Sequence, residues 1–318
     1  MEAVHIVGAG GIGCAVGYAL TAAGSRVTFV DVNPRKIEAG RRGGVKLNDE
    51  PAKQAEFVHF DEWHPPADVP LILATKCYDN AAVVAKLEPA AQAKVVPIQN
   101  GFDAALDSLD HPTEGIASFV AKCEADVPHA RITRPGDLHI GPRRGSTGFA
   151  FPQSKFFHVV PVPDIHPIKY AKLMYNAAIS PLAAAAGIDN GQLLSVPAAR
   201  RLFFELLQEN YRILSAAGIA LGKVGPFHPR TVAWILRRKW LAKLMARGFE
   251  PSLRGTYCSM AGEIEKGRTE IDNYNGHLVR LAEKTGTPCP LNRAVLALVT
   301  RMTEQREKPR LDVISEIR

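Results

Sequence analysis

Apolar and polar positions repeat along this chain with two different periods, and the change of period divides it. Residues 4–7 form a short apolar run ending at a glycine-rich turn, residues 12–23 carry apolar side chains at helical spacing, and residues 26–30 form a second apolar run. A strand, a helix and a strand in that order predict a βαβ unit. Further β-rich runs at 71–74 and 95–98 alternate with helix-compatible stretches at 81–87 and 103–109, which predicts a doubly wound parallel sheet with right-handed crossovers. From 115 to 162 the runs shorten and are broken by proline and glycine, as around 129–133 and 138–141. This part predicts antiparallel strands that finish the sheet. Beyond Pro163 helical periodicity takes over at 165–186, 198–217, 229–247 and 271–285. Pro161, Pro163 and Pro167 crowd the transition, so the expected division is an α/β domain over residues 1–163 and an all-helical domain over residues 164–318.

Composition leaves that picture intact and charge sharpens it. The chain has 318 residues, 46% of them hydrophobic and 22% charged, the usage of an ordinary globular protein, which excludes disordered, collagen-like and coiled-coil classes. The formal net charge of +7 is unevenly spread: residues 1–163 sum to −2 and residues 164–318 to +9. A positive excess suits anionic ligands, nucleic acid or an anionic surface. Cys14, Cys77, Cys123, Cys258 and Cys289 are odd in number, scattered and never arranged as CxxC. They predict neither a disulfide framework nor a metal site, but a reducing, cytoplasmic setting. The apolar stretch 4–23 has no basic segment before it and is interrupted by glycines, so no targeting or transmembrane segment is expected.

The glycine turn carries the first specific chemistry. Gly8-Ala9-Gly10-Gly11-Ile12-Gly13 is a GxGxxG between a strand and a helix. There Gly8 permits a tight turn, Gly10 lets backbone approach a pyrophosphate, and Gly13 lets helix and strand pack closely. The helix N-terminus offers N–H donors to phosphates. Asp31 ends the second strand 18 residues past Gly13, where an acidic side chain accepts ribose hydroxyls. An incidental glycine turn with Asp31 as a helix cap would match the same letters, but the flanking strand and helix favour a Rossmann-type dinucleotide site. An aspartate there repels a 2′-phosphate and leans the expectation to NADH, whereas Arg35 and Lys36, within one helical turn, would attract one.

In the second half, residues 168–186 place Lys172, Asn176 and Ser180 at i, i+4 and i+8, so an amine, an amide and a hydroxyl share one face of an apolar helix. A snorkelling lysine beside a satisfied core amide is the ordinary explanation of such a pair. Other segments outweigh it. Besides the opening GxGxxG, the chain has Thr75-Lys76, Gln99-Asn100-Gly101 and His139-Ile140-Gly141-Pro142. Lys172-Leu173 runs through Asn176 to Ser180-Pro181-Leu182, and Asp189-Asn190-Gly191, Ser259-Met260, Thr269-Glu270-Ile271-Asp272 and Asn275-Gly276 follow. Together these segments resemble the ketopantoate reductases (2-dehydropantoate 2-reductases) through nearly the whole chain.

The resemblance implies an NAD(P)H-dependent oxidoreductase that reduces the ketone of a 2-oxo acid, with NADPH as the family's usual cofactor, a place in pantothenate biosynthesis and a homodimer. It implies Lys172 as general acid and Glu270 as the carboxylate that binds the substrate hydroxyl and orients the lysine. Asn100, Asn176, Ser180, Asn190 and Ser259 would contact substrate. Gly8, Ala9, Gly10, Gly11, Ile12, Gly13, Asp31, Lys76 and Asn100 would contact the cofactor. Three departures stand out: Ser180 where the family usually has Asn, one residue fewer between Ser259 and Glu270, and a long segment 218–255.

Two other readings belong beside this one. The departures allow an NAD-dependent dehydrogenase of another small hydroxy or oxo acid. Residues 229–247 interleave Arg230, Arg237, Arg238, Lys239, Lys243 and Arg247 with Trp234, Leu236, Trp240, Leu241 and Leu244. A basic amphipathic helix of that kind would serve a non-catalytic dinucleotide-binding regulator. The commoner case is a solvated face over a packed apolar stripe, so neither nucleic acid nor membrane is expected as a partner.

Overall fold

The computed structural model describes residues 2–143, 145 and 149–317. Its contacts divide into two compact units, residues 1–165 and 166–318. The first unit contains strands β1 (Ala3–Val7), β2 (Arg26–Asp31), β3 (Lys46–Leu47), β4 (Glu56–His59), β5 (Leu71–Leu73) and β6 (Val95–Pro97). Five more follow: β7 (Thr113–Ala117), β8 (Val120–Cys123), β9 (His129–Arg134), β10 (Asp137–Pro142) and β11 (His158–Pro161). Helices α1 (Gly11–Ala22) and α2 (Pro34–Gly43) and the shorter α3 (Asn80–Val84), α4 (Pro89–Gln92) and α5 (Ala104–Asp107) lie among them.

Strands β4, β2, β1, β5 and β6, in that spatial order, form one parallel sheet. The chain winds outward from β1 through β2 to β4, then returns to the other side of β1 at β5. The strand order therefore reverses between β1 and β5, the place where open α/β sheets bind ligands. Successive side chains alternate between faces, and both faces are covered. Ile6, Phe29, Ile72 and Val96 pack with Tyr18 and Leu20 of α1, while Val7, Val30, Leu71, Leu73 and Val95 pack with Trp63, Val83 and Leu87. Burial on both faces is why these strands read as continuous apolar runs.

The later strands do not finish this sheet as their pattern predicts. They form two separate three-stranded sheets, β11-β10-β7 and β3-β9-β8, in which β7–β10 and β8–β9 are antiparallel and β10–β11 and β3–β9 are parallel. A parallel bridge between Ile98 and Gly115 connects to the main sheet. The division falls at Pro135-Gly136, between β9 and β10. A proline has no N–H for the ladder, and Gly136 lies so close to the Phe119 backbone that a Cβ would approach its nitrogen to 2.6 Å.

The second unit is helical: α6 (His166–Ala186), α7 (Asn190–Ser195), α8 (Pro197–Ala216), α9 (Pro229–Leu236), α10 (Lys239–Leu253), α11 (His277–Thr285) and α12 (Pro290–Gln305). A π-helical turn, Asp272–Gly276, leads into α11. The basic stretch 229–247 is not one helix. Arg238 leaves helical geometry (φ −115°, ψ 97°), its guanidinium lies 3.9 Å from the centre of the Trp234 ring, and it donates to the Trp234 carbonyl at 3.0 Å. Gln208 Nε2 takes the Leu236 carbonyl at 3.2 Å. Its large apolar residues divide: Trp234, Trp240 and Leu244 are exposed, while Ile235 and Leu236 are buried with Val232, Ala233, Ala242 and Ala246. Among the described residues no helix is long and apolar enough to cross a membrane.

Pro181 lies inside α6 and lacks the N–H that the Ala177 carbonyl would accept. Asn275 Nδ2 fills that place at 2.9 Å and also donates to Asn292 Oδ1 at 2.9 Å. Asn292 Nδ2 donates to Glu209 Oε1 and to Asn210 Oδ1, each at 2.8 Å. Asn210 Nδ2 reaches the Met174 carbonyl at 2.9 Å. Glu209 caps the first amides of α12, those of Leu291 and Asn292, at 3.2 and 2.8 Å. This buried network fixes α6 against α8, α12 and the π-turn. Asn292→Leu removes the bonds its side chain makes to Glu209, Asn210 and Asn275, and urea unfolding is expected to show a loss of about 3 kcal/mol.

Candidate functional site

In the first unit the glycine turn lies at the C-terminal end of β1, pinned to its neighbours. Gly8 N–H donates to the Val30 carbonyl at 2.8 Å, and Ala74 N–H donates to the Val7 carbonyl at 2.8 Å. Gly8 has φ +100°, and a Cβ there would come within 2.9 Å of the Ala74 and Thr75 backbone. A Cβ on Gly13 would overlap the Gly8 carbonyl oxygen, so this residue closes helix onto strand. Gly10 differs from both, because a Cβ there would meet nothing within 4 Å. It precedes α1, whose first turn has no side-chain cap. Open space beside uncapped amides fits a pyrophosphate.

Asp31 is drawn to the same turn. Its Oδ2 accepts from Ala9 N–H at 2.8 Å and its Oδ1 from Asn33 N–H at 2.9 Å. Each oxygen keeps a lone pair for a ribose hydroxyl. The two neighbouring cations are otherwise engaged. Lys36, expected beside a 2′-phosphate, is buried and donates to the Ala9 carbonyl at 3.1 Å. Arg35, its side chain 79% exposed, pairs with Asp126 at 3.3 Å.

Lys76 and Asn100, both half-buried, follow β5 and β6 at the same end of the sheet as the glycine turn. Two buried amides clasp their turns together. Gln99 Nε2 donates to Asn80 Oδ1 at 2.7 Å and to the Thr75 carbonyl at 2.9 Å, and Asn80 Nδ2 returns a bond to Gln99 Oε1 at 3.0 Å. Asn80 also donates to Asp103 Oδ2 at 2.8 Å. Sequence reasoning passed over Asn80 and used Gln99 only as the residue before Asn100. A buried amide facing another buried amide leaves no periodic trace.

In the second unit α6 carries Lys172 and Asn176 half-buried and Ser180 buried. Ser180 Oγ is 3.4 Å from Ser259 Oγ, which is 3.3 Å from the Tyr274 hydroxyl. Cys258 Sγ donates to the Ser180 carbonyl at 3.3 Å. Glu270 is buried, and its carbonyl accepts from Tyr274 N–H at 3.2 Å. The structure thus gathers Ser180, Ser259 and the 270–275 turn. Tyr274 was the residue missed there, although it lies between Asp272 and Asn275 of a segment already singled out. Asn190 N–H donates to the Thr256 carbonyl at 2.9 Å and its Nδ2 reaches Thr256 Oγ1 at 3.4 Å, anchoring the loop that leads to Ser259.

His277, directly after the π-turn, has its pKa pushed down to about 4, first by burial and then by the charges of Arg280, Lys169 and Lys284, against which Asp272 acts weakly. The unfolded chain binds this proton below about 6.5, the folded chain only below about 4. Stability is therefore expected to fall as pH drops from 6.5 toward 4, by about 3 kcal/mol at most. Urea unfolding at pH 7 and pH 5 checks this, with His277→Gln expected to show the smaller change.

Comparison with known proteins decides the family. The N-terminal model "Ketopantoate reductase PanE/ApbA" matches residues 4–145, and its C-terminal counterpart matches residues 164–303. The chain belongs to the ketopantoate reductase family. It is a ketopantoate-reductase-like oxidoreductase acting on CH–OH with a nicotinamide dinucleotide cofactor. It is similar to the 2-dehydropantoate 2-reductase of Pyrobaculum aerophilum, 27% identical over 300 residues, covering 93% of this chain and 96% of that protein. Among solved structures, a PanE/ApbA family ketopantoate reductase from Ralstonia eutropha matches with a TM-score of 0.74 at 23% identity, covering 96% of this chain and 100% of that one. D-mandelate dehydrogenase with NADH matches with a TM-score of 0.72 at 18% identity and the same coverage. The fold is shared by all of these family-like structures.

Proposed function

We propose that this protein reduces 2-dehydropantoate to pantoate, with Lys172 as the general acid and NADH preferred over NADPH. The observation that carries the reading is the polar face of α6. Lys172, Asn176 and Ser180 lie one turn apart on it, and its last member meets Ser259 beside the turn that bears Glu270.

A bound reduced nicotinamide supplies the hydride. As the ketone carbon accepts it, charge develops on the oxygen, and a positioned ammonium both stabilises and protonates that oxygen. Lys172 has the chemistry for both roles. Glu270, on a buried turn, accepts a substrate hydroxyl and holds Lys172 in orientation. Asn176 and Ser259 donate to the substrate, while Ser180 and Tyr274 fix the Ser259 hydroxyl. Asn190 places the loop that carries Ser259. On the other unit, the first amides of α1 bind the pyrophosphate, and Lys76 and Asn100 border the nicotinamide.

The cofactor preference follows from Asp31, whose carboxylate is bonded to the glycine turn, and from Lys36, whose ammonium is buried against the Ala9 carbonyl. Initial rates with both cofactors are expected to favour NADH by more than about tenfold, a difference of ~1.4 kcal/mol. Asp31→Asn, which removes the repulsion, is expected to narrow that ratio, and a ratio below one in the unmodified protein would reverse the assignment.

A second 2-oxo acid is favoured by one observation: Ser180 is shorter than the family's usual Asn and is turned to Ser259. A panel of 2-oxo acids assayed with each cofactor decides between the two. 2-Dehydropantoate is expected to give the highest kcat/KM, and another acid exceeding it would transfer the reading to that substrate.

A further inference from the structure

Below the glycine turn lies a group of side chains that the reduction does not use. Cys14, on the first turns of α1, is fully buried, while Cys123, at the end of β8, is only partly so. Their sulfurs are 3.9 Å apart. Both face one backbone atom, the Ala9 carbonyl oxygen, at 3.2 Å from Cys14 Sγ and 3.6 Å from Cys123 Sγ. The buried ammonium of Lys36 donates to that same oxygen and lies 3.7 Å from Cys123 Sγ. Two thiols and a cation thus converge on the turn whose other side carries Asp31.

We propose that Cys14 and Cys123 are a peroxide-reactive thiol pair that closes to a disulfide beneath the glycine turn. Cys123 is the attacking member. It is the accessible one, and a buried ammonium beside it favours the thiolate. The neighbouring Cys14 thiol and, against the opposing effect of burial, the Lys36 ammonium hold the Cys123 thiol down to about 7, while Cys14 is held up. The Cys123 thiolate attacks a peroxide oxygen; the O–O bond breaks, leaving a sulfenic acid on Cys123 and, after protonation, one water. Cys14 sulfur then attacks the sulfenic sulfur; the S–O bond breaks, a second water leaves and the S–S bond forms. Two thiols and one hydrogen peroxide give one disulfide and two waters, the thiols losing two electrons and the peroxide gaining them.

Bond formation brings the sulfurs to about 2 Å, removes the Cys14 S–H donor from the Ala9 carbonyl and draws β8 toward α1. Ala9 is also the residue whose N–H holds Asp31. Closure is therefore expected to weaken dinucleotide binding about tenfold. This consequence rests on the dinucleotide reading of the turn, whereas formation of the bond does not.

The test treats the reduced protein with one equivalent of hydrogen peroxide, alkylates the remaining thiols, digests it and maps the peptides. A Cys14–Cys123 linked peptide is expected, with Cys77, Cys258 and Cys289 alkylated. In Cys14→Ser the sulfenic acid on Cys123 is expected to persist and to be captured by dimedone. Alkylation of both Cys14 and Cys123 after the peroxide is consumed, or linkage of another pair, overturns the proposal. Titration with NADH before and after oxidation reads the control separately. Reduced protein that fails to bind NADH refutes the dinucleotide site and leaves the linked peptide to judge the thiol pair. Binding unchanged by a disulfide that does form overturns the control, and recovery with a thiol reductant supports it.

Discussion

Lys172→Ala is expected to lower kcat by about 10³-fold at neutral pH while the dissociation constant for the dinucleotide stays unchanged. The size follows from what a positioned general acid contributes to proton transfer, typically about 10²–10⁴, together with the charge it places against the developing alkoxide. The split between the two constants follows from position, since Lys172 lies on α6 of the helical unit and the glycine turn lies in the other. A lysine that only covered apolar surface with its stem would behave differently: its loss would lower stability and leave kcat near its starting value. Single-turnover rates at saturating substrate separate these outcomes. Partial recovery by added small alkylammonium ions, larger at equal concentration of the protonated form for those of lower pKa, would place the lost group at the proton-transfer step as an acid.

The second large effect comes from comparing two glycines three residues apart. A Cβ on Gly10 meets nothing within 4 Å, whereas one on Gly13 overlaps the Gly8 carbonyl. Gly10→Val is therefore expected to fold with a melting temperature close to that of the unmodified protein and to bind dinucleotide about 10- to 100-fold more weakly. Its side chain fills the space beside the uncapped amides of α1. Gly13→Ala is expected to cost about 3 kcal/mol of stability, because backbone cannot move aside as a flexible side chain can. Thermal unfolding and NADH titration on the same samples measure both. Full NADH affinity in Gly10→Val would remove the dinucleotide from this turn.

These two glycines also show what the letters carried and what they did not. The strand–turn–helix around Gly8 to Gly13 was legible because its constraints are local: a positive φ, a close helix approach and apolar runs buried on both faces. The face of α6 was legible for the same reason, since i, i+4 and i+8 need no tertiary information. Lys36 was misplaced because its sequence position allows a solvent-facing or a core-facing side chain equally, and only the convergence of Cys14, Cys123 and Ala9 draws it inward. The short runs after residue 113 look alike whichever sheet they join, so the proline and glycine that break them did not reveal that two sheets part at Pro135-Gly136 or that β11 pairs in parallel with β10. The basic stretch 229–247 reads as one amphipathic helix, and at its break the Leu236 carbonyl accepts from Gln208 of α8, a partner distant in sequence. Asn80 and Gln99, and the network of Asn275, Asn292 and Glu209, pair side chains from different elements and so have no period to detect. The Ser259 to Tyr274 contact, which ties two short segments of the site together, belongs to the same class.

The most direct test of the proposed chemistry follows the hydride itself. The protein is incubated with 2-dehydropantoate and NADH carrying deuterium at the transferable nicotinamide position, and the product is examined by mass spectrometry. The expected result is pantoate one mass unit heavier, with the deuterium on the carbon that was the ketone, formed by the unmodified protein and strongly diminished in Lys172→Ala. Unlabelled product, or no reduction of 2-dehydropantoate or any other 2-oxo acid by a protein that binds NADH, would contradict it.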